Sequence, residues 1–161
     1  MNEILELLQN NARLTPEEIA AMLKKPVKDV RQKIKRLETD GVIIKYGAIV
    51  NPEKDPKQKE RVRAIIELGV NPERETGFDA LAERIYKFPQ VEAVYLISGG
   101  YDLQVIIEGK TLKEVAFFVS EKLAPLSGVR STKTHFVLKK YKEHGTILSG
   151  KEKSARLDVA P

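Results

Sequence analysis

Residues 51–60 read Asn-Pro-Glu-Lys-Asp-Pro-Lys-Gln-Lys-Glu, with two prolines and almost no apolar side chain. Proline fixes φ and removes a backbone donor, so such a run neither continues a helix nor sits inside a sheet. It divides the chain. The residues before it read as helix, and those after it alternate strand with helix. We place the boundaries accordingly: a first domain over 1–50, a linker over 51–60, a second domain over 61–145 and a tail over 146–161. A chain of 161 residues has room for two small domains of this kind.

The first forty residues carry three helical stripes. Ile4, Leu5, Leu8 and Ala12 keep the three-to-four spacing of one buried face. Thr15 then offers an N-cap, Pro16 suits the first helical position, and Glu18 completes a capping box ahead of Ile19, Ala20, Met22 and Leu23. A third helix opens at Pro26 and runs to about Thr39, with Val27, Val30, Ile34 and Leu37 inward. Gly41 stands where a helix end wants positive φ. The few residues between the second and third helices give the spacing of a helix-turn-helix. Residues 42–50, Val-Ile-Ile-Lys-Tyr-Gly-Ala-Ile-Val, read as a strand or small hairpin: the wing of a winged motif, or the lead into the next domain.

The second half spells β-α-β-β-α-β. Strands are expected over 62–68, 91–97, 102–108 and 129–140. Phe78, Leu81, Ala82, Ile85 and Phe88 mark one helix, and Leu112, Val115, Ala116, Val119 and Leu123 the other. This order predicts a ferredoxin-like sheet of four antiparallel strands with both helices on one face, and an α+β class for the whole chain. The uncovered face, where apolar, needs a partner, and a second copy of the chain supplies one.

Charge is concentrated in one place. The chain has 28 Lys and Arg against 23 Asp and Glu, a formal +5. Residues 24–36 alone hold seven cations against the single acid Asp29. At 100° per residue, Lys28, Gln32, Lys35 and Arg36 fall opposite the apolar stripe, with Arg31 at its edge and Lys25 in the turn just ahead. An isolated basic helix is usually a solvated face. Here the basic face coincides with helix-turn-helix spacing and a following strand, and that combination points to double-stranded DNA. Lys and Arg neutralise phosphates, while Arg and Gln can pair with base edges in the major groove.

Other chemistry finds little support. There is no Cys, which excludes disulfides and thiolate chemistry, and two His make a metal or haem site an unpromising reading. His135 and His144 have no partner at ligand spacing, and no Ser lies in a nucleophile motif. We therefore expect no catalytic residue, no metal and no cofactor. No apolar run is long enough to span a bilayer and the first residues are acidic, so a cytoplasmic protein without membrane contact is expected. Gly99-Gly100-Tyr101-Asp102 leaves two readings open. The glycines make a hairpin turn beside a packed Tyr and a solvated Asp, or they let a ligand approach the backbone while Asp102 pairs with an ammonium group.

The chain as a whole resembles the Lrp/AsnC family of transcription regulators. The resemblance runs from residue 1 to about 145 through 4–13, Glu18-Ile19-Ala20, 30–38, Asp40-Gly41-Val42-Ile43 and Gly100-Tyr101-Asp102-Leu103. It departs at Lys24-Lys25-Pro26, where family members usually carry Gly and a capping Ser. The resemblance implies homo-oligomers, dimers that often assemble to octamers, and an amino acid or similar small molecule bound between second domains. On matching positions Gly99, Gly100, Tyr101 and Asp102 line that pocket. It implies a sequence-specific regulator of amino-acid or related metabolism. Two rivals are an effector-independent architectural DNA-binding protein and a related tetrapyrrole (siroheme) decarboxylase subunit. The scarcity of His and of aromatic clusters argues against the second.

Overall fold

In a computed structural model, which describes residues 3–52, 54, 55, 57, 61–71 and 77–148, the chain divides into two units, Met1–Val50 and Asn51–Pro161. The first is built from α1 (Glu3–Asn10), α2 (Pro16–Leu23) and α3 (Val27–Thr39). The capping box forms in full: Glu18 N–H donates to Thr15 Oγ1 at 3.2 Å, and Thr15 N–H donates to Glu18 Oε2 at 2.7 Å. Ile4, Leu8, Ile19, Ala20 and Val30 close a small core, flanked by Leu7, Leu14, Leu23, Ile34 and Ile43.

Two expected core residues are exposed, Met22 and Val27. Met22 falls to the side of the Ile19–Ala20–Leu23 stripe. Val27 is the first residue of α3, ahead of the turn where Val30 packs.

The strand or hairpin expected over 42–50 is absent. Gly41 takes φ +69° as expected, and the Val42 and Ile43 amides both donate to Leu37 O, closing the α3 C-terminus. From Ile44 to Val50 the backbone pairs with no strand among the described residues. β-branched composition favours extended backbone, but a strand requires a ladder, and the described residues of this unit offer only helices. Ile44 is accordingly 91% exposed.

The second unit contains β1 (Val62–Val70), α4 (Asp79–Tyr86), β2 (Val91–Leu96), β3 (Leu103–Gly109), α5 (Leu112–Phe118) and β4 (Val129–Phe136). The sheet is antiparallel in the order β2-β3-β1-β4, the ferredoxin-like arrangement. Period-two alternation sends Ala64, Ile66, Leu68, Val105 and Ile107 into one core with Leu81, Ile85, Val115 and Phe118 of the helices. Leu112 and Ala116, expected inward on α5, are exposed, and Phe118 is buried instead. A single wider turn over Val119–Leu123, closed by Ala124 N–H to Val119 O, keeps Phe118 and Leu123 on the same side.

β4 stops at Phe136, short of the expected Lys140. Val137 N–H still reaches Arg63 O at 2.9 Å, but β1 begins at Val62 and offers nothing further to pair with. The chain then makes a small hairpin, β5 (Lys142–Glu143) with β6 (Thr146–Ile147), through His144 and Gly145, both at positive φ. Leu148 behind it is buried. Structure therefore continues past residue 145, where the tail was expected to begin. The rest of that tail lies outside the described residues.

Candidate nucleic-acid interface and effector loop

α3 is amphipathic by construction. Val30 and Leu37 are buried, and every charged side chain on the helix is exposed. Its N-cap is Pro26, with no side-chain hydrogen bond. Lys24, which ends α2, sits in the left-handed region at φ 52°, the conformation that favours glycine. The departure at Lys24-Lys25-Pro26 thus removes a cap and adds exposed cations at the turn.

The six expected DNA-facing residues are all exposed, but they are not equivalent. The side chains of Lys28, Gln32 and Lys35 make no hydrogen bond or ion pair among the described residues; the Lys35 carbonyl accepts from Thr39 Oγ1. The other three carry carboxylates of the chain itself. Lys25 pairs with Glu3 of α1, Arg31 with Glu17 of α2, and Arg36 Nε lies 3.4 Å from Asp40 Oδ2 one turn on. Hydrogen bonding from Arg31 holds the Glu17 carboxyl below the usual carboxylate range, and Lys25 does the same to Glu3. A charge count along α3 misses Glu3 and Glu17, because α1 and α2 deliver them. Chemically, this surface presents a cationic face with one amide able to read a base edge, half of it already counter-charged.

The loop between β2 and β3 runs from Ile97 to Asp102. It is not a two-residue hairpin turn: neither Gly99 nor Gly100 has positive φ, and a Cβ at Gly100 would meet nothing within 4 Å. Both glycines are exposed. Tyr101 donates from its hydroxyl to Gln104 Oε1 at 2.9 Å. Asp102 is neither a solvated strand end nor idle. Its Oδ2 accepts from Val70 N–H at 2.7 Å, and Arg130 lies 4.0 Å away. Its backbone N–H donates to Leu68 O. The carboxylate therefore satisfies an amide at the register shift between Gly69 and Val70. Crowding also fixes Gly69, where an added Cβ would lie 2.4 Å from Ser131 Oγ.

The open face of the sheet is mixed rather than apolar. The strand register puts Ile65 and Ile106 at its centre, with Arg63, Glu67, Gln104, Glu108, Lys133 and His135 around them. His135 Nε2 lies 3.0 Å from Glu67 Oε1. An ion network ties this face to the C-terminal hairpin. Glu108 lies 3.6 Å from Arg61 and 3.4 Å from Lys140, Lys140 lies 3.3 Å from Glu143, and Arg63 pairs with Glu143. Burial pushes the Glu143 carboxyl up, but Arg63 and Lys140 together outweigh it and hold the group below its ordinary range. No helix among the described residues is long and apolar enough to cross a membrane.

Two family models match separate parts of the chain. Residues 2–44 match a family model described as winged helix-turn-helix DNA-binding, and residues 63–147 match the Lrp/AsnC ligand binding domain. The chain is 47% identical to YugG, an uncharacterized HTH-type transcriptional regulator of Bacillus subtilis, over 99% of this chain and 95% of that one. Among solved structures, the Neisseria meningitidis transcriptional regulator NMB0573 in complex with L-Met superposes with a TM-score of 0.71 at 24% identity, over 90% of this chain and 92% of that one. E. coli AsnC gives 0.69 at 18%, over 88% and 91%. These models and relatives are those of transcription regulators, not of enzymes.

Proposed function

The chain belongs to the Lrp/AsnC family of DNA-binding transcription regulators, and from that premise we propose a homo-oligomeric, sequence-specific regulator of amino-acid or related metabolism, acting in the cytoplasm. Paired copies set Lys28, Gln32 and Lys35, with Lys25, Arg31 and Arg36 beside them, against the grooves and phosphates of a roughly palindromic duplex. The second domains hold the dimer, or a larger assembly up to an octamer. A small molecule such as an amino acid, bound near Gly99, Gly100, Tyr101 and Asp102, alters assembly or half-site spacing.

One observation carries the DNA reading: an exposed cationic face with an amide at its centre, held out by a buried stripe on the same helix. Replacing Lys28, Gln32 and Lys35 with Ala in the full chain is expected to weaken duplex binding. It also flattens the salt dependence by about two in log–log slope, since each lost phosphate contact removes about 0.9. A triple variant that binds as before ends this reading.

The L-Met complex of NMB0573 and the exposed glycines favour an effector. The engaged Asp102 carboxylate favours the effector-independent architectural reading, because one of its oxygens already serves Val70. Thermal-shift measurements with the standard amino acids separate the two. A ligand at a hundred times its Kd raises stability by about 2.7 kcal/mol, and a flat panel supports the architectural protein.

A further inference from the structure

The polar stretch over 51–60 has the composition of a slack connection, yet its first residue is held. Asn51 belongs to the second unit, and its Nδ2 donates to Leu148 O at 2.9 Å in a partly buried contact. Leu148 is itself buried, and its N–H donates to Tyr141 O. The β5–β6 hairpin ahead of it is fastened to the sheet through Glu143, which pairs with Arg63 of β1 and lies 3.3 Å from Lys140. Lys140 in turn lies 3.4 Å from Glu108 of β3. The hairpin therefore grips the sheet through its charges and the head of the connection through a carbonyl. The first unit ends at Val50, one residue before that anchor. Resting on the reading of paired first units on one duplex, we infer that the C-terminal hairpin is a clamp and that Asn51 is a positioning residue for the DNA-reading unit. Closed, the clamp starts the tether of that unit at Asn51. Open, it adds residues 51–60 to the tether.

The difference in reach is large on the scale of a duplex. Ten flexible residues span roughly 17 Å, at about 5–6 Å times the square root of their number. That is about five base-pair steps of about 3.4 Å. A tether that starts at a fixed point concentrates the second reading unit on one half-site separation. A slack one spreads the same unit over several separations and dilutes it at the best one. A hydrogen bond such as Asn51 to Leu148 shifts an equilibrium by about two- to tenfold. A single substitution is therefore enough to bias the clamp toward its open form, without touching any residue of the basic face.

The test uses the full chain. Half-sites from a duplex that the wild-type protein selects out of a random pool are set at separations varied in single base-pair steps, and a duplex with one half-site is the reference. Asn51→Asp keeps the size of the side chain but turns a carboxylate, in place of the donating amide, toward the Leu148 carbonyl. Hydrogen exchange over residues 141–148 is expected to accelerate about two- to tenfold. The wild type should favour a narrow range of separations. The variant should lose about two- to tenfold at the best one and keep its affinity at separations several base pairs away, with the single half-site held within about twofold. Glu143→Gln leaves Asn51 in place, loosens the hairpin from Arg63 and Lys140, and should broaden the same profile to a smaller extent. If Asn51→Asp leaves exchange unmoved, or speeds it without changing the profile of separations, the clamp is overturned and the DNA reading stands. An equal loss on single and paired half-sites means general damage and also overturns it. If the wild type shows no preference among separations, the reading of paired units falls and takes this inference with it.

Discussion

The helical unit and the sheet unit bury apolar surface on very different scales. Among the described residues, thirteen buried side chains join one cluster in the sheet unit and five in the helical unit. A unit of about fifty residues cannot enclose much core, so its helix caps and turn chemistry carry a larger share of its stability. Charge is also arranged differently. In the helical unit α3 carries five cations against Asp29 and Glu38, while α1 and α2 carry four acids and no cationic side chain. In the sheet unit opposite charges interleave across one face and pair among themselves. The first arrangement suits a surface that meets a polyanion. The second suits one that settles its own charges.

The largest expected effect tests the inequality of the cores. Leu103→Ala and Ile19→Ala should each cost about 2–5 kcal/mol, since both side chains are almost wholly buried. Calorimetry on the full chain should show Ile19→Ala lowering a first transition while a second one stays in place. If both transitions move together, the two units are energetically one, and the comparison breaks.

Asp102→Ala follows, at about 1–3 kcal/mol, because it strands the Val70 amide at the register shift. Asp102→Asn keeps an acceptor and should lose less. Urea melts of both variants check this. Equal losses would mean that the negative charge, not the hydrogen bond, holds the loop. Any effector assay on Asp102 variants needs this stability measurement beside it.

In the helical unit, Thr15→Ala removes the side chain that accepts from Glu18 N–H and should cost about 1 kcal/mol. A sub-domain that depends on its caps should show this as a lowered first transition, and an unchanged one would contradict that dependence.

The smallest expected effect is a pH response in the sheet unit. The folded Glu143 carboxyl titrates below its unfolded counterpart. Its contribution is therefore fully present above the unfolded value near about 4.3 and lost as pH falls through the folded one. Hydrogen exchange at the Leu148 amide, which donates to Tyr141 O across the hairpin, should accelerate in that acid window. Unchanged exchange there would uncouple the hairpin from Arg63 and Lys140.

Much of this fold is legible because periodicity and capping are local. Thr15, Pro16 and Glu18 announce α2 within four residues, Gly41 marks the end of α3, and strand alternation picks out Ile66, Leu68, Val105 and Ile107 as core. The basic outer face of α3 is legible for the same reason. What fails is whatever depends on a distant partner. Residues 42–50 look like a strand but pair with no other segment among the described residues. Gly99-Gly100 looks like a tight turn, yet the loop is longer and its φ values are ordinary.

By itself, then, the sequence determined the helices and their caps, the β-α-β-β-α-β order, and the concentration of charge on α3. Only the tertiary structure decided how those charges are spent. It brought Glu17 to Arg31 across fourteen positions, Asp102 to Val70 across thirty-two, and Glu143 to Arg63 across eighty. Helix and strand periods are properties of neighbouring residues. An ion pair or a capped amide between elements depends on where packing places them, and no local pattern encodes that distance.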